Sequence, residues 1–124
     1  MIAIGRGIHG RGVFAQRPFV AGELIERAPV LVIPAAEIEW LDRTMLYDYY
    51  FAWGQDPENA AIAMGLGSFY NHAVQPNAEH VCHISELSID FIALVDIAAG
   101  EEITIHYNAS PGDASPVWFE VPRP

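Results

Sequence analysis

The sequence predicts a mostly β domain of many short strands with one or two small helices. Three observations predict it. Short runs rich in Val, Ile, Leu and Phe recur along the chain, bounded by turn residues. One turn sequence appears twice, VAGELI at 20–25 and AAGEEI at 98–103. No strand alternates with a long helix, which disfavours a Rossmann-type sheet.

The elements follow in order. GVFAQRPF (12–19) reads as a strand that passes through VAG (20–22) into a second, ELIERAPVLVIP (23–34). Pro29 inside it marks an edge or bent strand. Pro34 opens AAEIEWLDR, a short amphipathic helix with proline near its first turn. TMLYDYYFAWG (44–54) is the aromatic centre, and 55–59 a polar turn. AAIAMGLGS (60–68) is small and apolar, with two glycines that let backbone approach a neighbour. HVCHIS, LSIDFIALVDI and EEITIHY read as three further strands. The repeated turns read as hairpin connections with glycine at the left-handed position. The proline-broken tail, about 109–124, carries Trp118 and Phe119 and is expected to dock on the core.

At 124 residues, 52% of them hydrophobic, the chain fits one domain, 1–124, with one core. Sixteen acidic residues face six basic ones, all arginine, for a net charge of −10; lysine is absent. That balance argues against direct nucleic-acid binding. It would attract a basic, lysine-rich protein segment, although acidity also serves simply to keep a small protein soluble. No apolar run reaches the ~18 residues of a membrane span, and the N-terminus lacks a signal-peptide apolar region. The expectation is a soluble, cytoplasmic protein with no membrane partner.

GSFYNHAVQPNAEHVCH (67–83) gathers three histidines and the lone cysteine. In a strand, His80 and His83 point to opposite faces, and no second ligand cluster accompanies them, so no metal is expected. Cys82 has no helix N-terminus or glycine elbow to activate it and reads as an inert thiol. GRGVFA (10–15) lacks the third glycine of a dinucleotide loop; its glycines permit a sharp turn or a close backbone approach to a ligand.

Taken together and in this order, GRGVFA (10–15), YNHAVQPN (70–77) and GEEITIHYN (100–108) resemble the SET domain family of protein lysine methyltransferases. The resemblance covers essentially the whole chain. It implies a β-clip-like fold of several small sheets with a knot-like C-terminal segment. It also implies S-adenosylmethionine as cofactor and a lysine-containing basic protein as substrate. By similarity, the backbone of Gly10, Arg11 and Gly12 flanks the methionine end, Asn71 holds its amino group, and the main chain of His72 meets the adenine. Tyr107 matches the catalytic tyrosine beside the transferring methyl. Tyr47, Tyr49 and Tyr50 fall where the family builds its lysine channel, and His80 and Ile105 where it often places further channel aromatics. A cysteine-rich closing segment is absent, leaving Trp118 and Phe119 to cover the cofactor. A core this minimal also leaves a second copy of the chain, a homodimer, as one way to complete its surface. The competing reading is a catalytically weak module that binds a partner through its acidic face.

Overall fold

The computed structural model describes residues 1–55 and 57–107, which form nine strands in two sheets. The strands are β1 (Ile2–Gly7), β2 (Gly10–Ala15), β3 (Leu24–Ile33), β4 (Phe51–Trp53), β5 (Asn59–Ala63), β6 (Asn71–His72), β7 (Ala78–His83), β8 (Ser88–Ala93) and β9 (Glu102–Ile105). One sheet has the order β1-β2-β9-β6, the other β4-β5-β3-β8-β7. The expected mostly β architecture of several small sheets is what forms. The C-terminal segment expected to be knot-like, and the docking tail, lie outside the described residues.

β1 has no counterpart in the sequence reading. Glycines 5 and 7 break its apolar alternation, yet they make the strand fit. A Cβ on Gly5 would come 2.6 Å from the Phe14 ring of the paired strand. A two-residue turn, Ile8-His9, joins β1 to β2 between paired Gly7 and Gly10, with Gly10 at φ +81°.

The two echoed turns place Gly22 and Gly100 at φ +88° and +89°, in the left-handed region expected of them. They are not hairpins, however. Each carries the chain from one sheet to the other, β2 to β3 and β8 to β9. Their likeness extends to the hydrogen bonds. Glu23 N–H donates to Val20 O and its carboxylate accepts from Val20 N–H; Glu101 and Ala98 repeat both bonds. A bridge between Phe19 and Ile97 joins the two crossings. A hairpin and a crossing turn need the same backbone at the glycine, so local sequence alone does not separate them.

Pro29 lies in a central strand. β3 pairs with β8 through Leu24–Pro29 and with β5 through Val30–Ile33. The proline, with no N–H to give, sits where one ladder ends and the next begins. The edge expectation does not hold, since β3 has β5 and β8 as neighbours. The predicted helix shrinks to a 3-10 turn, Ala35–Glu37, and a single α turn, Ile38–Leu41, with no buried residue. Neither segment has a side-chain N-cap, and Trp40 stays exposed beneath the Arg43 guanidinium. The core lies between the sheets, built on Val13, Phe19, Ile89, Phe91, Ile97 and Ile103, all buried.

Candidate active site

The short strand β6 runs parallel to β9, pairing Asn71 with Thr104 and His72 with Ile105. Asn71 Nδ2 donates to the Arg11 carbonyl (2.9 Å) and to Glu102 Oε2 (2.8 Å), which joins three strands at one polar cradle. Gly12 belongs there because a Cβ would strike the Glu102 carboxylate and come 2.6 Å from Asn71 Nδ2. The Arg11 guanidinium lies 5.0 Å over the Phe69 ring. Asn77 fastens the other end of this segment. Its side chain donates to Glu102 O (2.8 Å) and accepts from Thr104 N–H (2.8 Å), as a neighbouring strand would.

Tyr107 follows β9 and turns toward the second sheet. Its N–H donates to His72 Nδ1 (3.0 Å), and its hydroxyl donates to the Tyr70 carbonyl (2.8 Å). Accepting at Nδ1 requires a neutral imidazole with its proton on Nε2. Burial, and then the neighbouring His106 and His9, push the His72 pKa down in the same sense. Tyr70 itself is buried, stacked on Phe91 at 4.2 Å, with its hydroxyl on Glu26 Oε1 (2.8 Å).

The Tyr107 ring opens into a cavity of about 550 Å³. Tyr47, Tyr49, Tyr50 and Phe51 form one side and His80 and Cys82 of β7 another, with Asp42, Asp48 and Glu58 also in the lining. Tyr50 donates to Asp42 Oδ1 (2.8 Å), and burial, with that carboxylate, pushes its pKa up to about 12. His80 packs against Phe51, ring centroids 5.1 Å apart. Its Nδ1 is buried without a hydrogen-bond partner among the described residues. Burial, aided by His106, lowers its pKa to about 4.

The structure thus separates the sequence-derived site residues into two adjoining groups. Gly12, Arg11 and Asn71 meet at the cradle, with Gly10 at the hairpin turn beside it; Tyr47, Tyr49, Tyr50, His80 and Tyr107 meet at the cavity. Ile105 joins neither: it is fully buried in the core and does not line the cavity. Trp118 and Phe119 lie outside the described residues. The histidines diverge, since His72 accepts from Tyr107, His80 faces the cavity, and His83 Nε2 lies 3.0 Å from Asp90. Asp90 in turn is held below the usual carboxylate range chiefly by its hydrogen bonds to Arg27. Burial raises the Cys82 thiol, keeping it protonated. Sequence reasoning missed Glu102, Tyr70 and the imidazole of His72, and read Cys82 as an inert thiol without placing it in the cavity lining. Glu102 and Tyr70 lie within the quoted motifs and were open to notice. Glu26, 44 positions from Tyr70, carried no local signal.

A family model described as SET domain matches residues 10–108. The histone-lysine N-methyltransferase of Schizosaccharomyces pombe specific for H3 lysine-37 is 36% identical over 90% of this chain and 71% of its own length. Human histone-lysine N-methyltransferase 2B is 32% identical over 87% of this chain, which spans 4% of that protein. Among solved structures, a Plasmodium falciparum protein assigned as a histone methyltransferase superposes with a TM-score of 0.72 at 29% identity, covering 89% of this chain and 99% of its own. Chaetomium thermophilum Polycomb Repressive Complex 2 shares the fold, with a TM-score of 0.75 at 23% identity over 86% of this chain and 16% of that one. With the motif residues assembled around Tyr107 and the match running from Gly10 to the end of the described chain, this protein belongs to the SET domain family and is a homologue of the histone-lysine N-methyltransferases.

Proposed function

We propose that the chain transfers a methyl group from S-adenosylmethionine to the side-chain amine of a lysine in a basic protein segment. The carrying observation is the position of Tyr107, whose phenol faces the aromatic cavity while its main chain is tied to His72, next to the Asn71 cradle. The residues fit the donor. With Asn71 Nδ2 committed to Arg11 and Glu102, Oδ1 remains to accept from a cationic amino group. Glycine at 12 leaves the Asn71 and Glu102 side chains room to meet, which holds Asn71 in that orientation. In this reading the backbone of Gly10 to Gly12 flanks the methionine end, the main chain of His72 meets the adenine, and Trp118 and Phe119 supply its cover. When bound, the sulfonium supplies an electrophilic methyl.

The remaining work falls to this chain's own residues. Asp42, Asp48 and Glu58 favour arrival of a cationic side chain. The rings of Tyr47, Tyr49 and Tyr50 suit an alkyl chain with a polar tip. Burial among these rings lowers the amine's pKa from ~10.4 toward the neutral form that attacks, against the opposite pull of the lining carboxylates. Alignment of amine with methyl then carries much of the rate, since the displacement is in line. The test is transfer of a labelled methyl to a peptide with one lysine among arginines, with an all-arginine peptide as blank. Transfer lost in a folded Tyr107→Phe chain supports the reading. Binding of donor and peptide without transfer favours the interaction module, which the same lining carboxylates would serve.

A further inference from the structure

We infer that Tyr70 and Glu26 are positioning residues for Tyr107, holding its phenol so that it offers a substrate amine only an acceptor. The inference rests on the proposed methyl transfer. A phenol hydroxyl carries one hydrogen, and Tyr107 gives it to the Tyr70 carbonyl at 2.8 Å. Toward anything in the cavity its oxygen can therefore only accept, which suits the N–H of an amine. The direction of that lone pair depends on where the Tyr70 carbonyl stands.

Tyr70 is buried and held at two points. Its ring stacks on Phe91 with planes 20° apart, its hydroxyl donates to Glu26 Oε1 at 2.8 Å, and its residue is 2% exposed. Glu26 belongs to β3, and its second oxygen accepts from Leu66 N–H at 2.9 Å. Gly65, at φ +62°, wraps the same carboxylate: a Cβ there would come 2.5 Å from Oε2. One carboxylate so anchors both the 64–69 turn and the ring whose carbonyl receives Tyr107. Burial and the adjacent Glu26 raise the Tyr70 ionisation far above the usual tyrosine range, so its hydroxyl remains a donor. Each contact is ordinary core satisfaction taken alone. The chain Leu66–Glu26–Tyr70–Tyr107 ends at the cavity, and that gives it a part in the reaction.

The experiment compares Tyr70→Phe, Glu26→Gln and the double variant with wild type, and Tyr107→Phe serves to assign the Tyr107 ζ-carbon resonance in tyrosine-labelled protein. Expected is a kcat lower by about fivefold in Tyr70→Phe, with KM for donor and peptide within about twofold. Glu26→Gln should lower kcat in the same sense, and the double variant should be no worse than the more impaired single, because both cut one link. The Tyr107 resonance should shift in both single variants. A lower melting temperature with kcat and the Tyr107 resonance unmoved overturns the inference and leaves only a structural role. Wild-type transfer with unchanged variant kcat overturns this inference alone; a wild-type chain without transfer overturns the proposed reaction and this role with it.

Discussion

At the scale of the residue, the site depends on hydrogen atoms committed elsewhere. Tyr107→Phe removes one hydroxyl and keeps the ring, so the main-chain bond to His72 survives. Turnover should fall about 100-fold, near 2.7 kcal/mol, with donor affinity within a factor of two. Single-turnover transfer and calorimetric titration check both halves, and unchanged turnover in a folded variant removes Tyr107 from the chemistry. His80 is the second case. Its folded pKa, about 4, lies below the ordinary 6.5, so the unfolded chain takes up the proton first. The associated stability is present above about pH 6.5 and drains away as pH falls toward 4. A displacement of that size corresponds to about 3 kcal/mol. His80→Phe should flatten the fall of Tm between pH 6.5 and 4.5. An identical slope in wild type and variant assigns the acid sensitivity to other groups, His72 first among them, since its pKa is lowered in the same direction.

At the scale of the element, two glycines keep strands in contact rather than merely bending the chain. A Cβ on Gly67 would come 2.6 Å from the Ala63 Cβ and 3.0 Å from that of Ala28. Gly67→Ala should therefore push the 64–69 turn off β3 and cost about 1–3 kcal/mol, the usual penalty of overpacking. Chemical denaturation measures it, and an unchanged midpoint shows that the turn relaxes freely. Gly12→Ala acts on β2 at the cradle, where the new methyl meets Asn71 and Glu102. Donor affinity should drop by about tenfold or more as Asn71 loses its setting. Titration with S-adenosylmethionine or its demethylated product reads this directly, and affinity equal to wild type would separate Asn71 from the donor.

At the scale of the whole molecule, charge sets behaviour toward substrates. Ten excess negative charges and a cavity lined in part by Asp42, Asp48 and Glu58 should steer basic peptides. KM for an arginine-flanked lysine peptide should rise about tenfold from low to high salt as these fields are screened, with kcat much less affected. A flat salt profile rejects steering. Without lysine, the chain offers no side-chain acceptor of its own kind. Mass spectrometry after incubation with donor should find no lysine-type methyl mark on the enzyme.

Three motifs, lying in order along the chain, were enough for the sequence to identify the family and the mostly β class, because each demands particular side chains at fixed short spacing. Gly100 takes φ +89°, a conformation that favours glycine, so that residue stands out when read singly, whereas the reach of Asn71 to Glu102 does not. Turn glycines 22 and 100 were legible for the same reason, while the sheets they connect were not. Whether a turn closes a hairpin or crosses between sheets depends on partners many residues away. β1 and the central place of Pro29 escaped likewise, since pairing with Phe14 and with two different ladders is invisible in local pattern. The resemblance put His80 and Ile105 together in the channel, and the tertiary structure alone decided that Ile105 turns into the core while His80 lines the cavity. It alone brought Glu26 to Tyr70 across 44 positions. Hydrogen bonds and burial act through space, and only the folded chain defines which distant groups are near.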